Sequence, residues 1–393
     1  MRVLVLSEYY PRAGDPTLGV WAHRQTVATR DAGVDLRVLV LHRPVPPLAA
    51  IRRRDLGAIR RALGQPARAE LDGIRVDYVR YLSPPRPWSY ATWGAWAARP
   101  LAAALRRVHR EFPFDLIHAH YAVPSGDAAR RAAPQVPLVV SVHGGDVHGP
   151  QASSRAVAAT LRHARLVLAN SAGTARRCAV LGADPVRVVH LGTDPAPATS
   201  PVDRGDGDPA SGPTLVTVGN LIARKRHADV IAALPSLLRS HPGLRYVIVG
   251  EGPERERLAA LAVQLGVVGQ VEFRGRLGHE QATAVARSGS LFVLPSLDEA
   301  FGVSYVEAMA GGVPAIGIRG EDGPEEIAAA GGGIALVPGR DPVALAGALD
   351  GLLADRARRE ALGQAARENV ERNFTWAGCG AATLAAYREV LGR

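Results

Sequence analysis

The chain has 393 residues, 47% of them hydrophobic and 21% charged, with a formal net charge of +10. That apolar content supports full cores, and at roughly 150 residues per domain the length predicts two or three. Two cysteines, Cys178 and Cys379, exclude a disulfide framework and a Cys-rich zinc module and fit a reducing compartment. The first residues, MRVLVLSEYYPR, read as a strand and a turn, without the long apolar stretch of a secretory leader. No run of about 18 apolar residues predicts a membrane-spanning helix.

Short apolar runs alternate with helical patterns from the start. RVLVLS (2–7) predicts a buried parallel strand, and TLGVWAHRQTVATRDAG (17–33) a glycine turn and a helix stopped at Gly33. DLRVLVL (35–41) is a strand. Residues 44–64 break the alternation with a basic, partly helical stretch. GIRVDYVRYL (73–82) alternates as a strand, and 85–112 predicts a helix with Trp88, Trp93 and Trp96 near its start. The β-rich runs DLIHAHY (115–121), PLVVSVHG (137–144), ARLVLANS (164–171) and VRVVHLG (186–192) follow.

Residues 193–213 lack periodicity and are rich in Pro, Asp, Gly and Ser, which marks a linker. The same grammar then restarts. Strands are predicted at 213–220, 244–252, 271–277, 290–295 and 313–318. Helices lie between them at 227–243, 253–266 and 303–311, and the last 50 residues are mainly helical. Two successive αβ alternations predict an α/β protein of two Rossmann-like, doubly wound parallel-sheet domains with a cleft between them.

Charge divides along the same line. Residues 1–192 hold 27 arginines against 13 acidic residues, and residues 193–393 hold 20 basic residues against 24 acidic ones. A basic first half fits an anionic lipid surface or an anionic substrate; no recognition motif for nucleic acid accompanies it. Among the 47 basic residues the single lysine is Lys225. The chain therefore has no GxxxxGK[ST] phosphate loop, and its one compact ammonium differs physically from a guanidinium.

PSLDEAFGVSYVEAMAGGVP (295–314) follows a predicted buried strand and opens a helix, at the sheet edge where doubly wound folds bind ligands. Phe301, Gly302 and Val303 present consecutive backbone N–H groups at the helix start, which suits an anion. Glu299 precedes them and Glu307 follows about one turn in. A carboxylate on each side suits a diphosphate flanked by hydroxyl-bearing groups; the alternative is two exposed glutamates framing a helix. TVGNLIARKRHADV (217–230) places Arg224 and Lys225 in a strand-to-helix loop, where cations would meet a phosphate or simply be solvated.

The Glu299-x7-Glu307 segment resembles the retaining nucleotide-sugar glycosyltransferases of family 4, which have the GT-B fold. The likeness runs through PTLGV (16–20), HAH (118–120), HGGD (143–146), GNLIARK (219–225), VGEGPER (249–255), GPEEI (323–327) and FTW (374–376). It implies a GT-B architecture with an acceptor domain at 1–194, a linker at 195–212 and a donor domain at 213–373. Residues 374–393 would form a helix returning to the first domain. Glu299 would hold the donor sugar's hydroxyls, the amides at Phe301, Gly302 and Val303 the sugar or diphosphate, and Glu307 the ribose. Arg224 and Lys225 would neutralise the diphosphate, Gly19 would contact it from the opposite domain, and His120 would lie near the transferred sugar. Asp146 would orient the acceptor or His120, or serve only a turn. Many members carry arginine where this chain has Asn220, so either Arg224 supplies that charge or the donor is held differently.

The resemblance implies metal-independent, retaining transfer from a UDP or GDP sugar to a hydroxyl acceptor, in cell-envelope, exopolysaccharide or glycolipid synthesis, with no cofactor. His118 and His120 could pair on a metal, but no third ligand at diagnostic spacing supports one. Trp88, Trp93 and Trp96 with Arg52, Arg53, Arg54, Arg60 and Arg61 suggest a lipid-linked acceptor and peripheral contact with an anionic membrane from the cytoplasmic side. Packed tryptophans under a solvated basic surface are the alternative. A nucleotide-sugar epimerase and a non-catalytic binding scaffold are competing readings. A dehydrogenase is not, because no complete dinucleotide fingerprint follows the first strand.

Overall fold

The computed structural model describes residues 1–46, 51–85, 89–149, 154–196 and 212–393, and divides into two compact units. One is Met1–Leu191 together with Trp376–Arg393; the other is Gly192–Thr375. Most of the linker read from the sequence, 195–212, lies outside the described residues, as do Trp88 and the Arg61 side chain.

In the first unit, β1 (Arg2–Ser7), β2 (Asp35–His42), β4 (Ile74–Arg80), β5 (Leu116–His120), β6 (Leu138–Val142), β7 (Leu166–Ala169) and β8 (Val186–Val188) form a parallel sheet in the order β4-β2-β1-β5-β6-β7-β8. β5, β6 and β7 are buried along their whole length, because crossover helices cover both faces. The helices are α1 (Val20–Asp31), α2 (Leu56–Leu63), α3 (Trp93–Glu111), α4 (Asp127–Ala132), α5 (Arg155–His163) and α6 (Ala172–Val180). The sequence pattern misses β3 (Arg68–Leu71), which pairs antiparallel with β4 at the sheet edge. A four-residue edge strand half open to water carries little apolar signal.

The second unit has a parallel sheet ordered β11-β10-β9-β12-β13-β14, formed by β9 (Thr214–Val218), β10 (Arg245–Val249), β11 (Val271–Gly275), β12 (Leu291–Val293), β13 (Ala315–Ile318) and β14 (Ile334–Val337). The helices α7 (His227–Ser240), α8 (Arg255–Gln264), α9 (His279–Ser288), α10 (Val303–Ala310) and α11 (Asp322–Gly331) flank it, with α12 (Pro342–Ala354) and α13 (Arg356–Asn373). Tyr246, Leu291, Leu234 and Leu349 are among its fully buried residues. β14 is the strand absent from the sequence reading; its four residues sit between glycines and a helix.

The last helix, α14 (Trp376–Leu391), belongs to the first unit. Gln25 of α1 donates from Nε2 to Thr383 Oγ1 at 3.1 Å, and a side chain at Gly380 would strike the Ala28 carbonyl. Trp93 is not an interfacial residue. It is 3% exposed, its indole N–H donates to the Pro84 carbonyl at 3.0 Å, and the Arg43 guanidinium lies 4.8 Å from its ring. Trp96 is 53% exposed. No helix among the described residues is long and apolar enough to cross a membrane.

Candidate active site

In the second unit, the predicted donor residues converge at the C-terminal ends of β9 and β12. Residues 223–225 form a single tight turn after β9, closed by Arg226 in the left-handed region at φ 56°. That turn directs Lys225 at the loop after β12. Lys225 Nζ donates to Glu299 Oε2 at 2.5 Å. Their side chains are 12% and 8% exposed, so the pair is largely withdrawn from water. Arg224 runs alongside. Its Nη1 is 3.8 Å from Glu299 Oε2 and within 3.3 and 3.4 Å of the Leu297 and Asp298 carbonyls. Arg226 turns aside to Asp229, at 2.8 and 2.9 Å.

Burial by itself would raise the Glu299 carboxyl, but the Lys225 and Arg224 charges and the Lys225 hydrogen bond outweigh it and hold it below the ordinary carboxylate range. Glu299 is therefore a pure acceptor, suited to hydroxyl donors.

Helix α10 opens at Gly302, whose φ of 83° favours glycine. A Cβ there would lie 2.5 Å from Tyr305 Cδ2, so the helix start is stripped to backbone. Phe301 is buried against Phe374 at 5.6 Å, while Val303 and Gly302 are partly exposed. Glu307, in the second turn, is buried with its Oε1 3.5 Å from His279 Nδ1, and its carbonyl accepts from Arg287 Nε at 3.1 Å. Asn220 is exposed, and its carbonyl lies 3.3 Å from Nε2 of the buried His227. Burial drives the His227 imidazole down to about 4, so the ring that supports this loop is neutral.

The first unit gathers His118, His120 and Asp146. Residues two apart on a strand share a face, and the His118 and His120 rings are 4.6 Å apart. His118 Nδ1 lies 2.6 Å from the Tyr387 hydroxyl on α14 and Nε2 2.8 Å from Ser141 Oγ. His120 Nδ1 lies 2.9 Å from His143 Nε2, the two rings stacked. Burial pushes His118 and His143 down to about 3 and His120 well below its usual value, so all three are neutral. His120 Nε2 has no hydrogen-bond partner among the described residues.

Asp146 is buried and accepts from the Ala122 N–H at 3.0 Å, fastening the backbone just beyond His120 rather than the imidazole. Burial pushes its carboxyl up to about 7, against the backbone N–H groups that favour the charged form. Gly19 begins α1 at φ 66°, pressed so closely on Tyr9 that a Cβ would fall 2.2 Å from its carbonyl carbon. Among the described residues no group of three or more His, Cys, Asp or Glu could hold a metal.

Sequence reasoning gave no role to His143, Tyr387, His227 or Glu321. HGGD and GPEEI were visible as strings. The partners of His143, Tyr387 and His227 come from other elements, and Glu321 lies just before GPEEI without a signal of its own.

A family model described as Glycosyltransferase Family 4 matches residues 3–197, and one described as Glycosyl transferases group 1 matches residues 204–369. A D-inositol 3-phosphate glycosyltransferase of Streptomyces bingchenggensis is 30% identical over 334 residues, 77% of this chain and 70% of that one. The chain belongs to glycosyltransferase family 4. It spans 43% of the length of other curated relatives that it matches at 34% identity. Among solved structures, sucrose-phosphate synthase from Thermosynechococcus elongatus superposes with a TM-score of 0.78 at 22% identity, covering all of both chains. Anabaena HepE, solved with UDP and glucose, gives 0.72 at 20% identity, covering 99% of this chain and all of that one. The family 4 member described here thus has the GT-B architecture of two Rossmann-like units.

Proposed function

We propose that this protein is a retaining, metal-independent glycosyltransferase that moves a sugar from a nucleotide-diphosphate sugar to a hydroxyl acceptor. The observation that carries the reading is the Lys225–Glu299 pair, a cation and a hydroxyl acceptor 2.5 Å apart beside the open start of α10. We assign Lys225 and Arg224 to the diphosphate, Glu299 and the amides at Phe301, Gly302 and Val303 to the sugar and its phosphate, and Glu307 to the ribose. His120 is assigned to the transferred sugar, Gly19 to the diphosphate and Asp146 to holding the strand end beneath His120. Asn220 offers only neutral hydrogen bonds, so Arg224 and Lys225 supply the charge.

In the reaction, the bond between the anomeric carbon and the β-phosphate oxygen breaks. The acceptor oxygen bonds to that carbon on the same face, and its proton passes to a departing phosphate oxygen. No side-chain base is needed. The protein contributes position and charge, and Lys225 offsets the negative charge that grows on the leaving group.

UDP or GDP is the expected nucleotide; HepE, a neighbour by fold, was solved with UDP and glucose. The test is thermal shift of the purified protein against UDP, GDP, ADP and their sugar conjugates. The anomeric configuration of the product is then read by NMR, and transfer is repeated with chelator. A donor at 100 times its dissociation constant adds about 2.7 kcal/mol of apparent stability. An inverted product, or transfer abolished by chelation, counts against the mechanism.

Peripheral membrane contact is a finer part of the same proposal. The side chains of Arg52, Arg53, Arg54 and Arg60 are exposed, and Leu56 and Leu63 of α2 are 65% and 51% exposed. Cations beside apolar side chains suit an anionic bilayer surface. Co-sedimentation with phosphatidylglycerol vesicles, but not with phosphatidylcholine alone, is the expected result.

A further inference from the structure

The loop that carries Glu299 is clasped by the connection between β13 and α11. Glu321 Oε2 accepts the backbone N–H of Glu299 at 2.9 Å, and the same carboxylate takes the N–H of Asp298. Two residues on, the Gly323 N–H donates to the Glu299 carbonyl at 2.9 Å. Both backbone groups of Glu299 are thus tied to 321–323. The fit is close, because a Cβ on Gly323 would lie 2.2 Å from the Phe301 carbonyl oxygen. On the other side the Leu297 N–H donates to the Arg224 carbonyl at 2.8 Å.

The clasp coincides with an unusual backbone conformation in the loop. Asp298 has φ 52°, in the left-handed region that non-glycine residues seldom adopt. It is exposed, so packing does not hold it there. A carboxylate that accepts two successive N–H groups stabilises that turn, and the turn sets the direction in which Glu299 leaves the backbone. Its cost is visible in the charges: Glu321 sits half-buried beside Asp298 and Glu299, both of like sign. Burial raises the Glu321 carboxyl above its ordinary value and the two neighbouring charges add to the rise, while the two N–H groups oppose it.

We propose that Glu321 is a positioning residue for the donor site. By accepting the Asp298 and Glu299 N–H groups, it fixes the Glu299 carboxylate where it meets Lys225 and the hydroxyls of the donor sugar. This rests on the proposed function and assigns Glu321 no contact with substrate. The role is specific to the sugar half of the donor, because Glu307 and the Lys225 backbone are anchored through other bonds.

The test compares the wild-type chain with E321A and E321Q. Three quantities are read: donor-sugar kinetics, affinity for the free nucleotide diphosphate, and hydrogen exchange of the 296–302 amides. Glutamine keeps an acceptor oxygen, so E321Q should hold the loop. We expect E321A to lose about tenfold in kcat/KM for the donor. Its affinity for the free nucleotide diphosphate should change less than about twofold, and its Asp298 and Glu299 amides should exchange faster. E321Q should recover most of each loss. An E321A enzyme with wild-type kinetics overturns the assignment, as does equal loss of nucleotide binding and transfer in both variants. A wild-type chain that binds no nucleotide sugar overturns the parent reading and this role with it.

Discussion

Lys225 Nζ and Glu299 Oε2 stand 2.5 Å apart, closed across 74 residues of chain and two different strand ends. The pair joins the cation proposed for the departing diphosphate to the carboxylate proposed for the sugar. Each is the other's main counter-charge, so substituting either disturbs both.

Lys225→Ala should lower kcat by about 100- to 1000-fold, equivalent to about 2.7–4 kcal/mol, as for loss of a single oxyanion donor. It should also destabilise the second unit by up to about 3 kcal/mol, because Glu299 loses its nearest counter-charge and the next, Arg224, stands at 3.8 Å. Arginine should not rescue it, since a planar fork does not fit where a point charge stood. Steady-state kinetics beside thermal unfolding separates the two effects, and a fully active K225R would sink the argument.

The Glu299 carboxyl is held below its unfolded value, so its contribution to stability is present above that unfolded value. It is lost as pH falls through the folded one. Unfolding free energies of wild-type and Glu299→Gln, measured from pH 7 downward, should therefore converge in acid. In Lys225→Ala the convergence should come at higher pH, because the largest charge that lowers Glu299 is gone. Curves that stay parallel across the acid range would contradict the pairing.

Asp146 behaves oppositely. Its folded carboxyl is raised to about 7, so between the unfolded carboxylate range and pH 7 the native state binds the extra proton. Native stability should fall as pH rises through that window, by an amount on the order of a few kcal/mol relative to Asp146→Asn. Chemical denaturation of both proteins at pH 5 and pH 8 reads the difference directly. A wild-type chain that gains on the asparagine variant at pH 8 would refute it.

Gly302→Ala should weaken donor binding as well as stability. The new methyl must enter a left-handed backbone and meet Tyr305 Cδ2 at 2.5 Å, so the start of α10 must shift. A loss of about 1–3 kcal/mol in stability is expected from backbone strain alone. Calorimetric titration with the nucleotide diphosphate should show at least a comparable fall in affinity. Unchanged binding would mean that the open helix start is not the phosphate site.

The sequence by itself determined the two αβ units, nearly every parallel strand, and the two segments on which Lys225 and Glu299 sit. Buried strands and amphipathic helices write their periods into the local pattern, and both segments follow a strand and open a helix. It also singled out Lys225, as the one lysine among arginines. What it did not carry is the company each residue keeps. Trp93 beside arginines suggested a membrane belt, yet its ring is packed under Arg43 and its N–H is satisfied by Pro84. His118 meets Tyr387 across 269 residues, and Glu321 reaches the backbone of Glu299 from the next strand connection. Such pairs have no sequence period. They exist only once the sheet order has brought distant strand ends to one edge, where burial makes each unmet polar group costly and so fixes its partner.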